Sequence, residues 1–124
     1  MNTLSFLVAL IAGGLGAGLR YAATVVLPPR KGRFPIAIFT VNVLGSFLAG
    51  MFTALLMKNS LNDDVYTFLI IGFCGGLTTM STFAVESIER LQDGHWWVAG
   101  LNILGTTTVG LSAAIFGFSF VGGL

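Results

Sequence analysis

Four long apolar stretches, each long enough to cross a bilayer as a helix, dominate this sequence of 124 residues. They run from about Leu4 to Leu27, from Ile36 to Met57, from Val65 to Val85 and from Trp96 almost to Leu124, and only Arg20 interrupts them with a charge. A helix needs about 20 residues to span the hydrocarbon core, whereas transmembrane strands alternate in polarity over about ten residues. The sequence therefore predicts an all-α membrane protein with four transmembrane helices.

The composition and the short connections support this interpretation. Only 9% of the residues are charged and the mean hydropathy is +0.90, whereas a soluble domain carries about 25% charged residues. We expect residues 1–124 to form one four-helix transmembrane domain, with each helix packed beside its sequence neighbour. The net charge of +1 gives no indication of a nucleic-acid partner.

The third apolar stretch contains the segment GFCGGLTTMSTF, from Gly72 to Phe83. Adjacent Gly75 and Gly76 each weaken a helix by about 1 kcal/mol relative to alanine. We predict a break at Gly75–Thr79, which would free backbone groups that only protein, ion or water can satisfy at membrane depth. Broken spans of this kind build ion sites; the alternative is a glycine kink without a function.

Polar side chains inside the other stretches leave further alternatives open. Asn42, with Ser46 one turn later, either makes an interhelical hydrogen bond or offers an amide donor to an ion path. Thr108 and Ser112 either bond back to their own helix or solvate an ion. Arg20 either extends to the membrane interface or supplies positive potential to an anion vestibule.

Small residues at four-residue spacing predict close helix contacts in lipid. Gly14 and Gly18 form one such pair, Gly13 and Ala17 a second, and Ser46 and Gly50 a third.

No acidic residue lies within the four stretches, and Glu86 is the nearest, just beyond the third. Proton-coupled transporters need an acid inside the membrane, whereas amide and hydroxyl dipoles suit passive conduction of an anion. Without a nucleophile–base pair, metal cluster or phosphate loop, we do not expect an enzyme.

Three separated motifs resemble the Fluc (CrcB) family of bacterial fluoride channels. They are GGLGAGLRY from Gly13 to Tyr21, VNVLGSFLAG from Val41 to Gly50, and the third-stretch segment from Gly72 to Phe83. The resemblance implies a fluoride-selective channel that exports fluoride passively across the bacterial inner membrane, as an antiparallel homodimer with two pores. Such a dimer requires dual topology. The basic residues argue mildly against it, with Lys58 on one side and Arg30, Lys31, Arg33 and Arg90 on the other.

The resemblance also implies roles for individual residues. Asn42 would donate its amide to fluoride, and Phe83 would present the positive edge of its ring. Ser81 and Thr82 would contribute hydroxyls, and Thr108 or Ser112 would extend them. A structural Na⁺ on the dimer axis would bind the carbonyls of Gly75 and Thr78 from both subunits and add positive potential.

Two positions depart from the family pattern. Met80 stands where the family usually has phenylalanine, so a flexible thioether replaces one ring edge along the fluoride pathway. Ile38 stands where threonine is common. We expect the fold to tolerate Met80 and the rate of fluoride passage to differ.

Two other classes of function compete with the channel. A small four-helix multidrug-type transporter would need a carboxylate inside the membrane. A non-transporting assembly subunit would use the glycines and hydroxyls only for helix packing.

Overall fold

The computed structural model describes residues 2–58 and 62–122, which contain helices and no strand. Helices α1 (Thr3–Val26) and α2 (Ile36–Met57), the third span (Asp63–Gln92) and the last helix (Trp96–Phe120) are each long and apolar enough to cross a membrane. The predicted all-α architecture with four spans is therefore confirmed. The middle of the second connection and the last two residues of the fourth stretch lie outside the described residues.

The third span is built from joined pieces. It consists of α3 (Asp63–Tyr66), a π-helix (Thr67–Cys74), α4 (Gly75–Leu77) and α5 (Met80–Gln92), so the last helix is α6. Thr78 and Thr79 between α4 and α5 have extended backbone angles, and we call these two residues the break. A π-helix bonds each residue to the fifth along, is rare, and often marks a functional site. The break lies within the predicted Gly75–Thr79 region.

The third span is longer than the hydropathy pattern predicted. The apolar stretch ended at Val85, and Glu86 to His95 were assigned to a connection, but the helix continues to Gln92. Its polar side faces the protein, because Glu86, Ser87 and Arg90 are buried while Val85 and Ile88 are more than half exposed. Average hydropathy cannot recognise a helix whose polar face is turned inward.

The main helix contacts are not those between sequence neighbours. α1 and α2 touch, but α1 packs chiefly against the π-helix and α4, and α2 packs chiefly against α6. Sequence neighbours do contact each other, as the short connections predicted, but the most extensive contacts lie between other helices. The third span therefore packs along α1, and α6 packs along α2.

Glycines permit the closest of these approaches. A Cβ on Gly50 would collide with the carbonyl of Ala114, and one on Gly117 with the carbonyl of Phe47, so α2 and α6 meet backbone to backbone. In the same way Gly76 lies against the backbone of Gly13.

The predicted register of small residues on α1 was only partly correct. Gly16 packs against the backbone of Phe73 and Leu77, whereas nothing lies within 4 Å of a Cβ placed on Gly14 or Gly18. Gly16 belongs to neither predicted pair on this helix, although Gly13 of one pair lies against Gly76.

We predict that Gly117→Ala destabilises the protein, because the added methyl group forces α6 away from α2. Overpacking of this kind costs about 1–3 kcal/mol, which a thermal unfolding scan in detergent measures. The matched control is Gly100→Ala on the same helix, where a Cβ meets nothing within 4 Å and alanine favours the helix. Equal unfolding temperatures for the two variants would contradict the close α2–α6 contact.

Candidate functional site

Asn42 on α2 satisfies both backbone groups of Thr79 in the break. Its Nδ2 donates a hydrogen bond to the Thr79 carbonyl at 3.1 Å, and its Oδ1 accepts one from the Thr79 N–H at 2.8 Å. The interhelical hydrogen bond, one of the two alternatives for Asn42, is thus present. A carboxamide carries two N–H donors, so the second remains for another acceptor.

Arg20 approaches the break from α1. Its Nε donates a hydrogen bond to the Gly76 carbonyl at 3.1 Å, and the residue is half-buried. The side chain of Arg20 therefore reaches the interrupted part of the third span. Its guanidinium places a permanent positive charge beside the interrupted helix.

Hydroxyl groups cap the second half of the third span. Thr79 Oγ1 accepts a hydrogen bond from the Thr82 N–H at 3.2 Å, which makes Thr79 the N-cap of α5. The same oxygen lies 3.2 Å from Ser81 Oγ and 3.3 Å from Thr82 Oγ1. Ser81 and Thr82 therefore gather around the start of α5, with Ser81 exposed and Thr82 half-buried.

The carbonyls of Gly75 and Thr78, the predicted Na⁺ ligands, lie at the break without a helical hydrogen bond. In a continuous helix the Thr79 N–H would bond to the Gly75 carbonyl, but here it bonds to Asn42. Within the described residues, no hydrogen bond ends on the Gly75 or the Thr78 carbonyl. Neutral carbonyl oxygens can replace the hydration shell of an alkali cation. Two carbonyls are too few to enclose a cation, so such a site would need further oxygens.

A groove of about 310 Å³ runs beside the break between α2, α5 and α6. Of the residues predicted to form a fluoride path, Asn42, Met80 and Phe83 line it. Met80 is 73% exposed, whereas Phe83 is only 9% exposed and packs into a small core with Ile38. The other lining residues are Ser46, Thr78, Thr79, Thr106, Thr107, Gly110 and Leu111.

The structure does not bring Thr108 and Ser112 to this groove. Both are exposed on α6, and Ser112 lines a separate apolar hollow that also contains Thr40. Thr106 and Thr107 occupy the groove instead. Ile38 lies in the core at 2% exposure, so the position where threonine is common contributes no hydroxyl here.

A buried chain of hydrogen bonds behind the groove was missed in the sequence. Thr106 Oγ1 donates to Asn102 Oδ1 at 3.0 Å, Asn102 Nδ2 donates to Ser87 Oγ at 2.9 Å, and Ser87 Oγ donates to the Phe83 carbonyl at 2.8 Å. Asn102, an amide deep in an apolar stretch, is the same kind of signal as Asn42. Ser87 was hidden because its segment was assigned to a connection.

This series of hydrogen bonds determines which side chains can donate to an anion in the groove. The hydroxyl protons of Thr106 and Ser87 point along the chain, and neither is available to a ligand. Among the described groove residues, the second N–H of Asn42 and the hydroxyls of Ser46 and Thr107 remain as donors. All of these groups are uncharged.

An acid does lie inside the bundle, contrary to expectation. Glu86 is 7% exposed, and one of its carboxylate oxygens has no hydrogen-bond partner among the described residues. It does not line the groove at the break. Proton-coupled transporters need an internal acid, so the lack of acids in the apolar stretches does not exclude this class.

Comparison with known proteins decides the family. The family model described as CrcB-like protein, Camphor Resistance (CrcB), matches residues 7–118, which include the break and the groove. The chain belongs to the CrcB family. The resemblance inferred from three motifs is thereby confirmed.

Relatives of this CrcB protein carry the name fluoride-specific ion channel. FluC of Saccharophagus degradans is 39% identical over 85% of this chain and 80% of its own length. FluC 1 of Mycobacterium tuberculosis is 43% identical over 86% and 83%, respectively. FluC of Pyrococcus horikoshii is 40% identical over 95% and 96%.

We predict that Asn42→Ala destabilises this CrcB protein, because the N–H and C=O of Thr79 lose their partner inside the bundle. Each unsatisfied group costs about 1–3 kcal/mol, measured by thermal unfolding in detergent. Ser46→Ala is the matched control. Ser46 lies one turn along the same helix and lines the same groove, but its side chain forms no hydrogen bond within the described residues. Equal destabilisation by both variants would show that Asn42 does not hold the break.

Proposed function

We propose that this CrcB protein is a fluoride-selective channel that lets fluoride leave the cell down its gradient. The observation that supports the proposal is the groove at the break, which offers uncharged donors from Asn42, Ser46 and Thr107. Arg20 adds a positive charge at Gly76, two residues before the break. The names of its relatives point to the same ion.

Uncharged donors suit the passage of a small anion. Fluoride holds its water tightly, so a pore must replace that water with donors, yet a bound ion must also be able to leave. An amide N–H and two hydroxyls attract fluoride without fixing it to an opposite charge. The edge of the Phe83 ring carries partial positive charge and adds to this attraction. Ser81 and Thr82 offer hydroxyls close to the end of the groove.

We propose that two copies associate as an antiparallel homodimer with two pores, one for each groove. A second copy would bring its own Gly75 and Thr78 carbonyls to the pair described above, which completes an oxygen site for Na⁺. When bound, the ion would supply positive charge between the subunits and favour anions nearby. The free carbonyls of this chain support that assignment.

The charge bias that argues against dual topology is small in absolute terms, with four basic residues on one side and one on the other. We propose that the protein resides in the bacterial inner membrane in both orientations.

The first test is ion efflux from liposomes that contain the purified protein. We expect fluoride to leave rapidly and chloride to be retained. Asn42→Asp should abolish the fluoride flux, because it removes the N–H donors and adds a negative charge to the path. Gel filtration verifies that the variant is folded.

Other outcomes of the same assay would contradict the proposal. Liposomes impermeable to fluoride would favour the assembly subunit, and proton-coupled drug transport would favour the multidrug-type transporter.

Met80→Phe, measured in parallel, isolates the contribution of the missing ring. Equal fluoride rates for the unchanged protein and this variant would show that the position does not shape permeation.

The second test concerns orientation in the membrane. A tag at either terminus should be accessible from both sides of the cell membrane in comparable amounts, because antiparallel partners insert in opposite directions. Accessibility from one side alone would exclude the antiparallel dimer. It would leave the fluoride efflux assay unaffected.

A further inference from the structure

The connection between α1 and α2 is held rigidly at the end of the bundle. The buried guanidinium of Arg90 donates to the Arg33 carbonyl at 3.1 Å and to the Arg30 carbonyl at 3.3 Å, and a third hydrogen bond reaches the Glu86 carbonyl at 3.2 Å. The Arg33 N–H also bonds to the Arg30 carbonyl. The loop thus uses its main chain to attach to the third span, and this leaves its basic side chains free to face outward.

Those basic side chains have no acidic partner in the described part of the chain. Arg30, Lys31 and Arg33 are all exposed, and the one ion pair among the described residues joins Arg90 to Glu89 at 3.9 Å. Arg30 and Lys31 both line a hollow that also contains Glu89 and Asp93, which offset their charges. Arg33 has no acid in its own surroundings.

A second hollow, of about 250 Å³, combines two arginines with apolar walls. We call it the headgroup hollow, and the residues that define it are Arg30, Arg33, Val26, Leu27, Phe34 and Ile36. None of its lining residues is acidic.

The position of the headgroup hollow suits a lipid better than a soluble ion. It joins the last turn of α1 to the first turn of α2, where spanning helices leave the hydrocarbon. Val26 is 75% exposed, and Ile36 is 55% exposed, so the apolar wall continues onto the outer surface of the helices. A free phosphate would use only the arginines, whereas a phospholipid would also cover this apolar wall.

We propose that the headgroup hollow binds an anionic phospholipid, with its phosphate on Arg30 and Arg33 and its acyl chains along Val26 and Ile36. Arginine pairs with phosphate through two parallel N–H donors, and basic pockets at the ends of transmembrane helices bind anionic headgroups. The lipid would cover the end of the bundle without entering the groove at the break.

Lipid retention by the purified full-length protein tests this proposal. Native mass spectrometry would compare phosphatidylglycerol with phosphatidylcholine of identical acyl chains. We expect the anionic lipid to be retained preferentially. Arg33→Gln should reduce its retention about fivefold, because it removes one of the two guanidinium groups that bind the phosphate. Arg30→Gln should act in the same direction.

Lys31→Gln is the matched control, because it removes one positive charge from the same loop but does not line the headgroup hollow. We expect less than about a twofold loss for it, because Lys31 does not contact the bound phosphate and nearby Glu89 and Asp93 offset its charge. Equal losses for Arg33→Gln and Lys31→Gln, or none for Arg33→Gln, would overturn the site. Inorganic phosphate added in excess should leave the lipid bound, and its displacement by phosphate would also overturn the proposal. Both arginines bind Arg90 through main-chain carbonyls, so these variants keep the attachment of the loop.

Discussion

A helix that breaks inside a bilayer exposes backbone groups that lipid cannot satisfy, and this structure is organised around that constraint. Asn42 pairs with both backbone groups of Thr79, and Arg20 takes the Gly76 carbonyl. The two side chains come from different helices, so the break ties α1 and α2 to the third span. The close glycine contact between Gly13 and Gly76 brings α1 near enough for Arg20 to reach.

The same arrangement creates the polar site. By occupying the Thr79 N–H, Asn42 releases the Gly75 carbonyl from its helical bond and turns it into a potential cation ligand. The Asn42 amide keeps one N–H that can donate into the groove. The hydroxyls of Thr106 and Ser87 already donate within the protein, so they are not available there. The groove therefore keeps few side-chain donors, and all of them are uncharged. The hydrogen bonds that support the break also determine which polar groups remain free.

Sequence reasoning succeeded where a local signal was strong. The apolar lengths predicted the spans, and the paired glycines with their threonines predicted the position of the break. It was wrong where the outcome depended on which way a helix faces. Glu86, Ser87 and Arg90 read as part of a loop, although they form the buried side of α5. Gly14 and Gly18 match a contact motif but face open space, and Thr108 and Ser112 face away from the groove that Thr106 and Thr107 line.

The amino-acid sequence by itself determined that this chain crosses the membrane four times and that its third crossing is interrupted. The length and hydropathy of a segment and the positions of its glycines are properties of that segment alone, so they can be evaluated without knowing which helix packs against it. Only the tertiary structure decided which donors face the groove, because that choice depends on the rotation of α5 and α6 against α2. Backbone contacts at Gly50 and Gly117 and the buried Asn102 chain set that rotation, and both join residues distant in the sequence.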